Sequence, residues 1–114
     1  MNTSLSATIT SFFTVHLSKV MGYSDNTIKY YRDTFVLLFN YADEKHLCPK
    51  GRISIDIFKK ENIIAFLDWL EDSRNVSIST RNQRLAALKS FSKYASKNEI
   101  EYLDIFRKRK VVGV

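Results

Sequence analysis

Apolar side chains along this chain recur at intervals of three and four, the spacing that lines one face of an α-helix with its ~3.6 residues per turn. Ile9, Phe12, Phe13, His16, Leu17 and Val20 keep that spacing and predict a first helix from about Ser6 to Met21, with Gly22 placed to stop it. Ser24 then stands where a helix cap belongs, ahead of a second stripe made by Ile28, Tyr31, Phe35, Leu38, Phe39 and Ala42. Tyr30, Leu37 and Tyr41 put apolar surface on the opposite side of the same helix, which predicts a central element covered from two directions. The pattern breaks around His46 to Ile57. Cys48-Pro49-Lys50-Gly51 reads as a turn, followed by an extended Ile53, Ile55, Ile57 alternation too short and isolated to predict a sheet.

Ile63, Phe66, Leu67 and Leu70 predict a third helix from about Lys60 to Asp72, with Glu61 favourably near its positive N-terminus. A fourth, capped by Ser77 and running to about Ala95, turns Leu85, Leu88, Phe91 and Ala95 inward. A short fifth helix is expected over Glu99 to Phe106, ending in a solvated basic linker, Arg107-Lys108-Arg109-Lys110. One proline and three glycines punctuate 114 residues, so the expected fold is all-α: a four- to five-helix bundle of two packed helical hairpins.

Composition narrows the class. The length suits one domain with a real core, and 45% apolar residues exclude a disordered chain. A net charge of +6 and a pI near 9.5 favour a polyanionic partner. Cys48 is the single cysteine and cannot close an intramolecular disulfide, which fits a reducing compartment. The longest unbroken apolar run, Phe35 to Phe39, is far short of a membrane span, and the first residues lack the basic start and apolar block of a signal sequence; a cytoplasmic protein with no membrane partner is expected. His16 and His46 have no cysteine or carboxylate set at metal-ligand spacing, and the isolated glycines form no phosphate loop, so neither metal nor cofactor is expected. Tyr30, Tyr31, Tyr41 and Tyr94 fall on helix faces with apolar neighbours, and none of the six tyrosines sits among activating arginines and histidines.

Candidate chemistry gathers at two helix starts. Ser77, Ser79, Thr80, Arg81 and Arg84 put hydroxyl and guanidinium groups in the first turns of the fourth helix, where free backbone N–H groups and the helix dipole favour an anion. An ordinary cap with solvated arginines is the competing reading. At about 100° per residue, Arg84 shares an azimuth with Leu88, Phe91 and Ala95. It therefore either pairs with an internal carboxylate or sits on turns that project beyond the bundle. Lys89, Lys93 and Lys97 form a ladder away from the core stripe and read as a solvated face that adds diffuse attraction to phosphates. The second helix opens with Ser24, Asn26, Thr27, Lys29, Tyr30 and Arg32: Asn and Thr suit base edges, Lys29 and Arg32 suit phosphates, and Asp25 and Asp33 dilute the charge.

Three segments carry a family resemblance: YSDNTIKYYRDTFVLLFNYADEKHL, FKKENIIAFLDWLED and VSISTRNQRLAALKSFSKYASKNEI. Their order and their motifs, Ser-x-x-Thr-x-x-x-Tyr, Ile-x-x-Phe-Leu-x-x-Leu and Ser-x-x-Thr-x-x-x-x-Leu-x-x-Leu-x-x-Phe, resemble the N-terminal core-binding domain of tyrosine recombinases, the phage-integrase and Xer-type family, over roughly Leu5 to Arg107. The resemblance implies a SAM-like helical domain that covers one face of double-stranded DNA while a separate catalytic domain grips the other. It points to Thr27 and Tyr30 on the second helix and to Ser79, Arg81 and Arg84 on the fourth, with Thr80 as a neighbour; Lys29 joins them from its own chemistry. It further implies that the first and last helices pack against other protomers in a tetramer of the full-length protein on DNA. Residues 1–107 are expected to form the domain, with 108–114 starting a linker, and without the catalytic half and DNA the isolated piece is expected to be a monomer. Where the family commonly opens its third helix with Thr and often proline, Lys59-Lys60 stand here. The family's catalytic arginine, lysine, His-x-x-Arg and nucleophilic tyrosine belong to the C-terminal domain, so this chain is expected to bind rather than cut, within a parent that exchanges DNA strands by tyrosine transesterification. A helical protein-interaction module, or a free-standing DNA-binding regulator, are the alternatives.

Overall fold

The computed structural model describes residues 5–47 and 54–98; the expected turn at Cys48 to Gly51, the short fifth helix and the basic linker lie outside them. Four α-helices, α1 (Leu5–Ser11), α2 (Asp25–Glu44), α3 (Lys60–Ser73) and α4 (Ile78–Asn98), carry the architecture, and no strand occurs among the described residues. α1 runs directly into a π-helix, Phe12–Val20, so the predicted first helix is present but changes its hydrogen bonding part-way. Phe12 and Leu17 still face the core. Val20 does not: a π turn takes in more residues than an α turn, the inward stripe slips, and Val20 is left 67% exposed.

Helix ends follow local chemistry. Gly22 adopts φ +65, and the Tyr23 N–H donates back to the Leu17 carbonyl at 3.0 Å. His46 (φ 55) and Asn75 (φ 58) take the same left-handed conformation after α2 and α3, followed by Leu47 N–H to Ala42 O (2.9 Å) and Val76 N–H to Leu70 O (3.3 Å). α3 starts without a side-chain cap at Lys59. Its position rests instead on burial of Ile63, Phe66, Leu67 and Leu70.

The Ile53 to Ile57 alternation is not extended over its described part. Ser54 Oγ accepts from the Asp56 N–H at 3.2 Å and bends the chain into a 3-10 turn, Ile55–Phe58. Consecutive residues Ile57 and Phe58 are thereby both buried, which a strand covered on one face only does not permit.

The first helix pairs with α2 and α3 pairs with α4, and the two hairpins meet through α2 and α4. Phe91 lies at that junction. Its ring centroid is 5.2 Å from Phe12, 5.3 Å from Phe35 and 5.1 Å from Phe58, so the π-helix, α2, the 3-10 turn and α4 share one aromatic cluster. The other side of α2 is covered as well, where Tyr41 packs on Phe66 (5.6 Å) and Trp69 (5.3 Å). Among the described residues no helix is long and apolar enough to cross a membrane. Phe91→Ala removes the shared ring and is expected to lower the unfolding free energy by about 3–5 kcal/mol in urea titration. Val36→Ala, at a 49% exposed position, is expected to change it by under about 0.5 kcal/mol.

Candidate nucleic-acid interface

α2 and α4 begin with the same cap. At α2 the Thr27 N–H donates to Ser24 Oγ (3.2 Å) and the Ser24 hydroxyl donates to Thr27 Oγ1 (3.1 Å). At α4 the Thr80 N–H donates to Ser77 Oγ (3.1 Å) and the Ser77 hydroxyl donates to Thr80 Oγ1 (3.2 Å). Each Ser-x-x-Thr satisfies an N–H that the helix itself leaves unpaired. Thr27 and Thr80 are thus parts of caps, while Lys29 and Ser79 point their side chains to solvent.

Arg84 resolves its awkward azimuth in a third way. Its Nη1 donates to the Tyr30 carbonyl (3.2 Å) and to Thr34 Oγ1 (2.9 Å), and its guanidinium carbon lies 4.1 Å from the Tyr30 ring centroid. The Thr34 hydroxyl, fully buried, donates to the same Tyr30 carbonyl at 3.0 Å, closing a triangle. The arginine is therefore held by a carbonyl, a hydroxyl and an aromatic face rather than by a carboxylate. Nε is buried without a hydrogen-bond partner. The cation's stabilisation comes from the ring face and the two acceptors of α2.

Arg81 faces α3. Its Nη2 lies 3.6 Å from Asp68 Oδ1 and its Nε 2.5 Å from Glu71 Oε1, a close ion pair without hydrogen-bond alignment. With 24% of its side chain exposed, it ties the first turn of α4 to the end of α3, and two carboxylates balance its charge locally.

Between the starts of α2 and α4 lies an open groove of about 410 Å³ lined by Asn26, Thr27, Tyr30, Tyr31, Gln83 and Ala86. The Tyr30 hydroxyl crosses it and donates to Gln83 Oε1 at 3.0 Å. Gln83 was not expected as a site residue. Ser79, Gln83, Ala86 and Ser90 recur at three and four along the flank of the core stripe, and the small residues in that row leave room beside α2. Lys29 on α2 and Lys89 and Lys93 on α4 are exposed cations of the same two helices. Tyr31, which also lines the groove, has its phenol pushed above its ordinary pKa by burial first and by the neighbouring Tyr23 second, against a lowering hydrogen bond from Ser90. No group of three or more His, Cys, Asp and Glu able to hold a metal occurs among the described residues.

Residues 10–102 match the model of the phage integrase N-terminal SAM-like domain. This chain belongs to that family. Its relatives include two proteins of Sinorhizobium fredii (strain NBRC 101917 / NGR234), named "Putative integrase/recombinase y4rC" and "Putative integrase/recombinase y4rD". The first is 38% identical over 93 residues, 82% of this chain and 28% of the relative; the second is 34% identical over 87 residues, 76% of this chain and 31% of the relative. The chain thus spans less than a third of either relative. No solved structure gives a significant match.

In this phage-integrase SAM-like domain, the residues singled out from sequence divide by location. Thr27 and Tyr30 line the groove on α2; Lys29 is exposed on the same helix; Ser79 and Thr80 open α4; Arg81 lies toward α3; Arg84 lies over the face of the Tyr30 ring. Arg84→Ala leaves the buried Thr34 hydroxyl and Tyr30 carbonyl without their cationic donor. It is expected to cost about 1–3 kcal/mol of stability in urea titration. Because the folded chain holds the Tyr31 phenol above its unfolded value, Tyr31 contributes stability below about pH 10 that is lost as pH rises through the folded value. Tyr31→Phe should therefore lose less of its urea midpoint than wild type between about pH 8 and about pH 11.

Proposed function

We propose that this chain is the DNA-clamping domain of a site-specific tyrosine recombinase, binding double-stranded DNA for a catalytic domain carried elsewhere in the full-length protein. One observation supports this reading above the others. The starts of α2 and α4 meet at a groove that offers amide and hydroxyl groups, and the same two helices expose Lys29, Lys89 and Lys93. Base edges require such uncharged donors and acceptors, and phosphates require the flanking cations. The net charge of +6 suits that partner, as does a cytoplasmic site of action.

Thr27, Tyr30, Ser79 and Thr80 are then positioned for the duplex, Lys29 for its phosphates, and Arg81 for a phosphate at the edge of α4 where Asp68 and Glu71 already balance much of its charge. Arg84 acts from behind this surface. The chemistry of strand exchange belongs to the catalytic domain, and the first helix is the proposed face toward neighbouring protomers. Against a helical interaction module, the reading separates by salt. Gel-shift titration with duplex DNA is expected to give an affinity that falls steeply as salt rises, and Lys89→Ala together with Lys93→Ala should flatten the log–log slope by about 2. Binding that ignores salt, or no binding at low salt, would overturn the proposal.

A further inference from the structure

The end of α3 sets two carboxylates against one cation at the start of α4. Arg81 places Nη2 3.6 Å from Asp68 Oδ1 and Nε against Glu71 Oε1. Two acids facing one guanidinium leave an excess of negative charge at this edge, in a chain whose net charge is +6. The excess opposes the polyanion that the rest of the chain attracts. Nor does the pairing of α3 with α4 depend on it, since Ile63, Phe66, Leu67 and Leu70 of α3 share one buried core with Leu88 and Phe91 of α4. The clasp is also loose. Nε has no hydrogen-bond partner, the Asp68 contact is beyond hydrogen-bond reach, and Asp68 keeps 62% of its side chain exposed. A phosphate can offer a guanidinium two parallel, aligned bonds, which this pairing does not.

We propose that Asp68 and Glu71 are discrimination residues: they repel the phosphates of a loosely docked duplex and release Arg81 only to a phosphate brought into direct contact. The inference rests on the DNA-binding reading above. At about 0.1 M salt a charge is felt over roughly 10 Å, so a duplex held only by diffuse attraction to lysines meets the acidic excess before it meets Arg81. A fully seated duplex replaces the misaligned carboxylates with an aligned acceptor, and the exposed Asp68 returns to water. Repulsion at a wrong fit raises the ratio between right and wrong partners without any contact to a base.

The test begins with duplexes enriched from a randomised double-stranded DNA pool by the 114-residue chain. An enriched duplex and a shuffled duplex of the same composition are then titrated across salt with wild type, with Asp68→Asn plus Glu71→Gln, and with that pair plus Arg81→Ala, and the melting midpoint of each protein is measured. Removing both carboxylates is expected to tighten binding to the shuffled duplex by about tenfold and to steepen its salt slope by about one charge, while the enriched duplex gains less than about threefold. Adding Arg81→Ala should abolish the steeper slope, because the released cation is what adds it. Asp68→Asn alone, at the more exposed position, should shift discrimination in the same direction by a smaller factor and keep the melting midpoint. Equal gains on both duplexes, a steeper slope that survives Arg81→Ala, or a lowered melting midpoint with unchanged discrimination would each overturn the inference and leave DNA binding standing. A wild-type chain that enriches no sequence overturns it too. If wild type retains no duplex at low salt, the DNA-binding reading itself fails, and the wild-type arm tells the two failures apart.

Discussion

Phe91 meets the rings of Phe12, Phe35 and Phe58 within 5.1–5.3 Å, and these belong to three other elements of the chain. Such a junction leaves α4 little freedom to rotate or slide, because any shift opens voids against several partners at once. Two turns before Phe91, at about 3.6 residues per turn, the same azimuth brings Arg84 inward. The aromatic core thus forces a cation against α2. The structure absorbs it through the Tyr30 carbonyl, the Thr34 hydroxyl and the Tyr30 ring, a set of acceptors that α2 supplies without a buried carboxylate.

This arrangement separates holding from contacting at the helix starts. Serines and threonines that resemble ligand contacts in sequence are largely occupied with capping: Ser24 with Thr27, and Ser77 with Thr80. Arg81 is balanced by Asp68 and Glu71. The cations left exposed on α2 and α4 include Lys29, Lys89 and Lys93, which suit phosphates without fixed geometry. In the proposed function, affinity then comes mostly from such cations, and discrimination from the uncharged groups of the groove.

The four α-helices and the caps of α2 and α4 were legible in the residue pattern, since periodicity, Ser-x-x-Thr starts and the glycine at position 22 act within a few residues of chain. Val20 and the Ile53 to Ile57 run were misleading for a common reason. Periodicity was read with α or extended geometry, whereas the chain takes a π turn in one place and a 3-10 turn in the other. Arg84 was recognisable as inward-facing, but not its partners: Tyr30 and Thr34 lie 54 and 50 residues away along the chain. Gln83 carried no separate signal, because a glutamine on a helix flank is ordinary until a tyrosine hydroxyl comes within 3.0 Å of it.

By itself, the sequence determined the helical class, the apolar faces and the family, because each depends on side-chain spacing within an element and on the order of those elements. Tertiary structure alone decided which polar groups are consumed and which stay available. That choice depends on distances between α2, α3 and α4 across the core: Arg81 and Arg84 look alike four residues before Leu85 and Leu88, yet one meets two carboxylates of α3 and the other a carbonyl, a hydroxyl and a ring of α2.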